Sequence, residues 1–167
     1  FIKYNKNESI LLEPRVQFFI SPDAYKNYKI RNEDSNAVDL SSSNLFDSNR
    51  YSGLDRIESG IRTNYGIAFK KVMNNGDVLS SSIGQSYNTN KQQLFNNDSG
   101  FKDKRSEVIG DIFLNNAIYD INYDYRFSED LKLNRNSLAA LIKLKQTQLN
   151  ISYVQLNNFS SARHDDT

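Results

Sequence analysis

The single histidine of the chain, His164, stands beside Asp165 and Asp166, donor types that together could hold a divalent metal or move a proton. Their setting in a polar terminal run, His164 to Thr167, reads instead as a frayed tail over 161–167. No serine in a nucleophile-elbow context has a histidine to activate it, and no glycine-rich loop cradles phosphate. Nucleophilic and phosphoryl chemistry therefore have no candidate residues. The chain has no cysteine, which removes thiolate catalysis, disulfides and cysteine-based zinc sites, and fits either a reducing or an oxidising compartment. Asp120 and Asp124 are the remaining pair that could share acid and base roles. They lie on one face of an alternating run that also carries Asn122 and Arg126, which reads as solvated charge lining a lumen. No catalytic residue, metal or cofactor is expected, and the chain is read as a non-enzyme.

Composition narrows the partners. Lysine and arginine number 21 against 20 acidic residues, so no broad field gathers nucleic acid or an anionic surface, and nucleic acid is excluded as a partner. No run approaches the ~18 apolar residues of a spanning helix, and no signal peptide opens the chain. It begins at Phe1 without a methionine and stops in a polar tail, so a piece of a longer protein is expected. Ten tyrosines and ten phenylalanines accompany no tryptophan and two prolines. Aromatic residues without an aliphatic excess suggest exposed β-structure, although an AT-rich genome would enrich Asn, Lys and Ile as well.

Periodicity says which elements must position these side chains. From Ile118 to Phe127, Tyr119, Ile121, Tyr123, Tyr125 and Phe127 alternate with Asp120, Asn122, Asp124 and Arg126, a period of two with one apolar face. Ile61 to Lys71 repeats it, with Gly66 and Ala68 on the polar side. Weaker versions run through Val16, Phe18 and Ile20, through Leu79, Ile83 and Tyr87, and through Val108, Ile112 and Leu114. Two more use Leu138, Ala140, Ile142 and Leu144, then Leu149, Ile151 and Tyr153. Seven strands are predicted, with Phe1 to Tyr4 the tail of an eighth, and no helix.

The connections alternate in length. Asn74-Asn75-Gly76-Asp77 is a tight hairpin signal, and Asn115-Asn116, Lys145-Gln146 and the turn near Asn5 to Asn7 are also short. Long polar connections run from Ser21 to Arg56 and from Asn88 to Ser106, while Ser128-Glu129-Asp130 is short where a long one is allowed. Outer-membrane barrels place short turns in the periplasm and long loops outside. The fold expected is all-β: antiparallel up-and-down strands of a transmembrane outer-membrane barrel, incomplete at about seven or eight strands, since seven spans leave two open edges unless they curl into an unusual odd-numbered barrel. A soluble antiparallel sheet with one wet face gives the same alternation, so a secreted β-domain that binds partners stays open.

One segment is more specific. Asn44-Leu45-Phe46 followed by Asn49-Arg50-Tyr51, Gly53 and Asp55-Arg56-Ile57-Glu58 closely resembles the most recognisable stretch of the LptD lipopolysaccharide-assembly family. Around it the family-like order continues: Glu13-Pro14-Arg15 opening a strand, Asn32 to Ser35 in the loop, then Gly60, Tyr65-Gly66 and Gly84-Gln85. Ser99-Gly100-Phe101 and the paired strands from Glu107 onward are also similar. On their own chemistry, Gly53 and Gly60 permit conformations or close approaches that a side chain would block, and Arg50, Asp55, Arg56 and Glu58 could pin a long loop against a polar wall.

The resemblance implies an outer-membrane translocon of Gram-negative bacteria that delivers lipopolysaccharide to the outer leaflet, with an LptE-like lipoprotein plug, a periplasmic bridge protein and outer-membrane lipid as partners. It also implies that this stretch is middle to later barrel, one segment over 1–167 without the receiving jelly-roll or gate seam. In the family's disulfide pairings between jelly-roll and barrel, a segment lacking cysteine takes no part. A porin-like channel is the competing membrane reading, and it has no need of the loop from Asn44 to Glu58.

Overall fold

The computed structural model describes residues 1–5, 8–21, 39–50, 58, 60–89, 99–101 and 103–157. They form one antiparallel sheet of eight strands in simple up-and-down order. In chain order these are β1 (Ile2–Asn5), β2 (Glu8–Ser21), β3 (Gly60–Val72), β4 (Val78–Asn88), β5 (Val108–Asn115), β6 (Tyr119–Phe127), β7 (Leu133–Lys143) and β8 (Gln148–Leu156). Each strand pairs with its sequence neighbours, and β1 and β8 do not meet, so the sheet is not closed. This is the all-β architecture of an incomplete barrel, without a helical element among the described residues.

The longer strands β2, β3 and β4 run 14, 13 and 11 residues, well beyond the ~5 to 6 usual in globular sheets and enough for a tilted membrane span. Glu13-Pro14-Arg15 lies in the middle of β2 and does not open it. The geometry explains why a proline is tolerated there. The register of β1 with β2 ends at Ile2 opposite Leu11, and Phe1 adds the last two bonds, its carbonyl accepting from the Leu12 amide at 2.8 Å and its ammonium donating to the Leu12 carbonyl at 2.7 Å. Pro14 thus falls just past the β1 pairing, where a missing N–H breaks no ladder among the described residues.

The short turns close through local side chains. Asn116 Oδ1 accepts from the Ile118 and Tyr119 amides at 2.8 and 2.7 Å, an Asx arrangement that reverses the chain between β5 and β6. At the β3–β4 hairpin Met73 N–H donates to Asp77 at 2.8 Å and Gly76 N–H to Met73 at 2.9 Å. At the opposite end of the strands β2 and β3 are separated by 22–59 and β4 and β5 by 89–107.

Register puts Gln17, Asn64, Ser86 and Asn88 on one face and Val16, Phe18, Ile20 and Ile61 on the other. The apolar side is the bare one: Phe18 is 71 % exposed and Ile20 82 %, while Asn64 is 0 % and Ser86 3 % exposed. A sheet in water hides its apolar face. Here the covered part of the sheet lies on the polar face, at the long-loop end of β3 to β7, and the cover is the chain's own loops.

Candidate functional site

The site is the patch of polar wall on which residues 39–50 lie. Gly66 and Gly84 are cross-strand partners in β3 and β4, and neither presents a side chain to the loop. A Cβ on Gly66 would stand 2.6 Å from the Ile83 carbonyl oxygen, and one on Gly84 would stand 2.9 Å from that of Tyr65 and collide with Leu45 Cδ2. The glycine pair is therefore a floor cut to let Leu45 reach the wall. Leu40, Leu45, Phe101 and Ile109 are each 2–3 % exposed and form one apolar cluster, with Phe46 packed against it. This small core sits on the polar side of the sheet because the loops bring their own apolar residues inward.

Asn44 shapes the segment that delivers Leu45. Its side-chain oxygen accepts from the Ser41 amide at 2.9 Å and its amide donates to the Asp39 carbonyl at 2.7 Å. Both ends of a buried amide are thereby satisfied, as burial demands.

Beyond the cluster an ion triad fastens the loop to β3. Arg50 Nε donates to Glu58 Oε1 at 2.6 Å, its Nη2 pairs with Glu58 Oε2, and its backbone amide reaches Oε1 at 3.2 Å. Arg62, four residues after Glu58, places Nη1 at 2.6 Å from the same Oε2. All three side chains are 4 % exposed or less. Arg62 also donates to the carbonyls of Asp47 and Ser48 at 2.6 and 3.1 Å, so it holds loop backbone as well as carboxylate. Each guanidinium covers an aromatic ring, Arg50 over Phe101 at 3.9 Å and Arg62 over Phe19 at 4.4 Å, which offsets part of their desolvation. Burial pushes the Glu58 carboxyl upward, but the Arg50 hydrogen bond and the charges of both arginines outweigh it and hold it below the ordinary glutamate value. Gly60, with φ of 96°, turns the chain from the triad into β3 in a conformation that side chains rarely adopt.

The structure joins Asn44, Leu45, Arg50, Glu58, Gly66 and Gly84 in this patch, with Phe46 at its margin and Gly60 at its edge. Tyr65 and Gln85 stand apart on the outer face, where the tyrosine hydroxyl donates to Gln85 Oε1 and Gln85 Nε2 donates to the Ser106 carbonyl at 2.8 Å. Pro14 is remote, in mid-β2. Gly53, Asp55, Arg56, the stretch Asn32 to Ser35, His164 and the tail 161–167 lie outside the described residues. Asp120 and Asp124 are separately partnered: Asp120 with Lys143 at 2.7 Å, Asp124 with Asn122 at 2.8 Å and Ser137 at 3.2 Å. Sequence reading missed the roles of Arg62, Leu40 and Ile109, and named Phe101 only within the family-like Ser99-Gly100-Phe101. The signal was the run of small residues on the polar side of β3 and β4, which marks a wall against which something packs.

Comparison with known proteins identifies the scaffold. Residues 2–167 match the family model described as LptD, LPS transport system D. The chain belongs to the LptD family. An LPS-assembly protein LptD from Idiomarina loihiensis is 30 % identical to it over 161 residues, which is 93 % of this chain and 21 % of the relative. The LptD-family chain described here thus spans about a fifth of that relative's length, and its family is one of lipopolysaccharide transport.

Proposed function

We propose that the chain forms part of the wall of an outer-membrane lipopolysaccharide translocon in a Gram-negative bacterium, within a longer parent protein. Its role there is to hold an inward-folded extracellular loop while lipopolysaccharide is delivered to the outer leaflet. The observation that carries this is the inverted burial of the sheet, apolar outside and polar inside, with the loop from Asp39 to Arg50 seated on the polar wall. Lipid suits the outer face, since every strand but the two edges has its backbone paired on both sides. The long connections 21–56 and 88–106 face outward from the cell, and the short turns face the periplasm.

In this reading Asn44, Leu45, Phe46, Arg50, Glu58 and Gly60 order the loop, with Gly66 and Gly84 as its floor, and Gly53, Asp55 and Arg56 take part in the same ordering. Lipopolysaccharide is the cargo. An LptE-like plug and a periplasmic bridge protein act through the rest of the parent. A wall patch covered by a loop pinned through buried charge suits assembly better than open diffusion.

The test is replacement of Arg50 and Glu58 by alanine in the full-length protein, in cells that depend on it. Surface lipopolysaccharide, read with an impermeant label, is expected to fall while protein abundance is held constant. Intact delivery accompanied by a change in solute conductance of the purified protein would favour the porin reading and sink this one.

A further inference from the structure

The loop at 39–50 does not stand on its own anchors alone. A second connection, described at 99–101 and 103–107, runs back along the end of β4. Ser106 N–H donates to the Ser86 carbonyl and Ser86 N–H to Ser106 Oγ, both at 2.8 Å, and Asn88 N–H donates to the Lys104 carbonyl at 2.7 Å. Its outer part touches the first loop twice. Leu40 N–H donates to the Ser99 carbonyl at 2.9 Å, and the Phe101 ring lies 3.9 Å beneath the Arg50 guanidinium.

Glu107 ties that outer part to the wall. Its Oε2 is 2.6 Å from Arg126 Nε at the end of β6, its Oε1 accepts from Asn134 at the start of β7, and its amide donates to the Gly100 carbonyl at 3.0 Å. Arg126 in turn donates to the Ser99 carbonyl at 3.2 Å, the same oxygen that receives Leu40. Packing at the junction leaves no slack: a Cβ on Gly100 would stand 3.2 Å from Glu107 Oε2, 3.2 Å from Leu40 Cβ and 3.3 Å from Arg126 Cδ.

We infer that Glu107 is a positioning residue for the first loop, and that the second loop is a brace that transmits the state of β6 and β7 to Leu40, Leu45 and Arg50. The glycines beneath Leu45 belong to β3 and β4, whereas the Ser99 carbonyl is held by Arg126 of β6, Phe101 packs in the cluster with Ile109 of β5, and Glu107 is held by Asn134 of β7. A change in the spacing of the later strands thus reaches the loop through this brace as well as through the direct Arg135–Asp39 pair. This inference deepens the functional reading above, since what the brace positions is the loop assigned there to ordering the translocon mouth.

The experiment uses the full-length protein in outer-membrane vesicles, carrying Leu45→Cys with or without Glu107→Gln. Labelling of position 45 by an impermeant maleimide is followed by peptide mass spectrometry, and heat-modifiable gel migration reports whether the barrel is folded. Glu107→Gln keeps the shape and an acceptor for Asn134 but removes the charge that holds Arg126. Labelling is expected to rise at least about tenfold, an opening change of ~1.4 kcal/mol, with migration unchanged. Glu107→Asp, which keeps the carboxylate, is expected to label more slowly than Glu107→Gln, an order that a general loss of stability would not give. Unchanged labelling in Glu107→Gln, or faster labelling only together with loss of the heat-modifiable form in both variants, overturns the inference. Faster labelling without loss of surface lipopolysaccharide supports the brace and counts against the functional reading instead.

Discussion

The two ends of the sheet are held by different physics. At the short-turn end the closing contacts join residues two to five apart in sequence: Asn116 with Ile118 and Tyr119, Asn75 with Asp77, Asn115 with Asp120. At the long-loop end they join residues far apart, such as Arg50 to Glu58 across 8 positions, Asn134 to Glu107 across 27 and Arg135 to Asp39 across 96. Closing loops over such spans carries an entropic penalty that local turns escape. It is met here by burial of an apolar cluster and by charge pairs whose mutual attraction and hydrogen bonds offset their desolvation. One end is specified residue by residue, the other only when the sheet exists to receive it.

Breaking the triad should separate the two ends most sharply. Glu58→Ala leaves two buried guanidiniums facing one another, and removing one member of a buried ion pair is expected to cost about 3 to 5 kcal/mol. The loss is expected at the loop, with amide exchange of residues 44–50 rising while that of the short turns is unchanged. The same contact predicts an acid response. Because the folded Glu58 value is depressed, its contribution is complete above the ordinary glutamate value of about 4.3 and is lost as pH falls through the lower folded value. Loop protection in Glu58→Gln is expected to lack that acid-dependent step.

Overfilling the glycine floor is the next test. Gly84→Val places a side chain where Leu45 sits, and overpacking of this kind is expected to cost about 1 to 3 kcal/mol. Protease cleavage within 39–50 should then accelerate, with a smaller loss of wall stability because the Tyr65 carbonyl also stands 2.9 Å from that Cβ. The smallest effect belongs to the turn end. Asn116→Ala deletes the acceptor of two amides, with an expected loss of about 1 kcal/mol, read as a lowered unfolding midpoint with the loop's protection unchanged. If Asn116→Ala loosened the loop as much as Glu58→Ala, the two ends would not be independent.

Much of this molecule was legible from residue order alone. The alternation from Tyr119 to Phe127 and from Ile61 to Lys71, together with Asn74 to Asp77, Asn115-Asn116 and Lys145-Gln146, located strands and turns that the sheet contains. Period and turn chemistry are local, so they survive in one dimension. Pro14 was misplaced because its tolerance depends on where β1 stops pairing, a property of the neighbouring strand. The motif from Asn44 to Glu58 was visible as unusual, and charges such as Arg50 and Glu58 were marked as pins. Their partner Arg62 was not, since on sequence it is one more polar residue in an alternating strand.

By itself, then, the sequence determined a two-faced antiparallel sheet, its hairpin ends and its LptD-family kinship, because side-chain period, turn residues and motif order are written along the chain. Only the tertiary structure decided which face is covered, and by what. That Leu45 rests on Gly66 and Gly84, that Glu58 serves both arginines, and that Glu107 meets Arg126 and Asn134 all depend on strands brought side by side. Such contacts join segments far apart in the chain, whose approach is fixed only once the sheet and its loops are assembled.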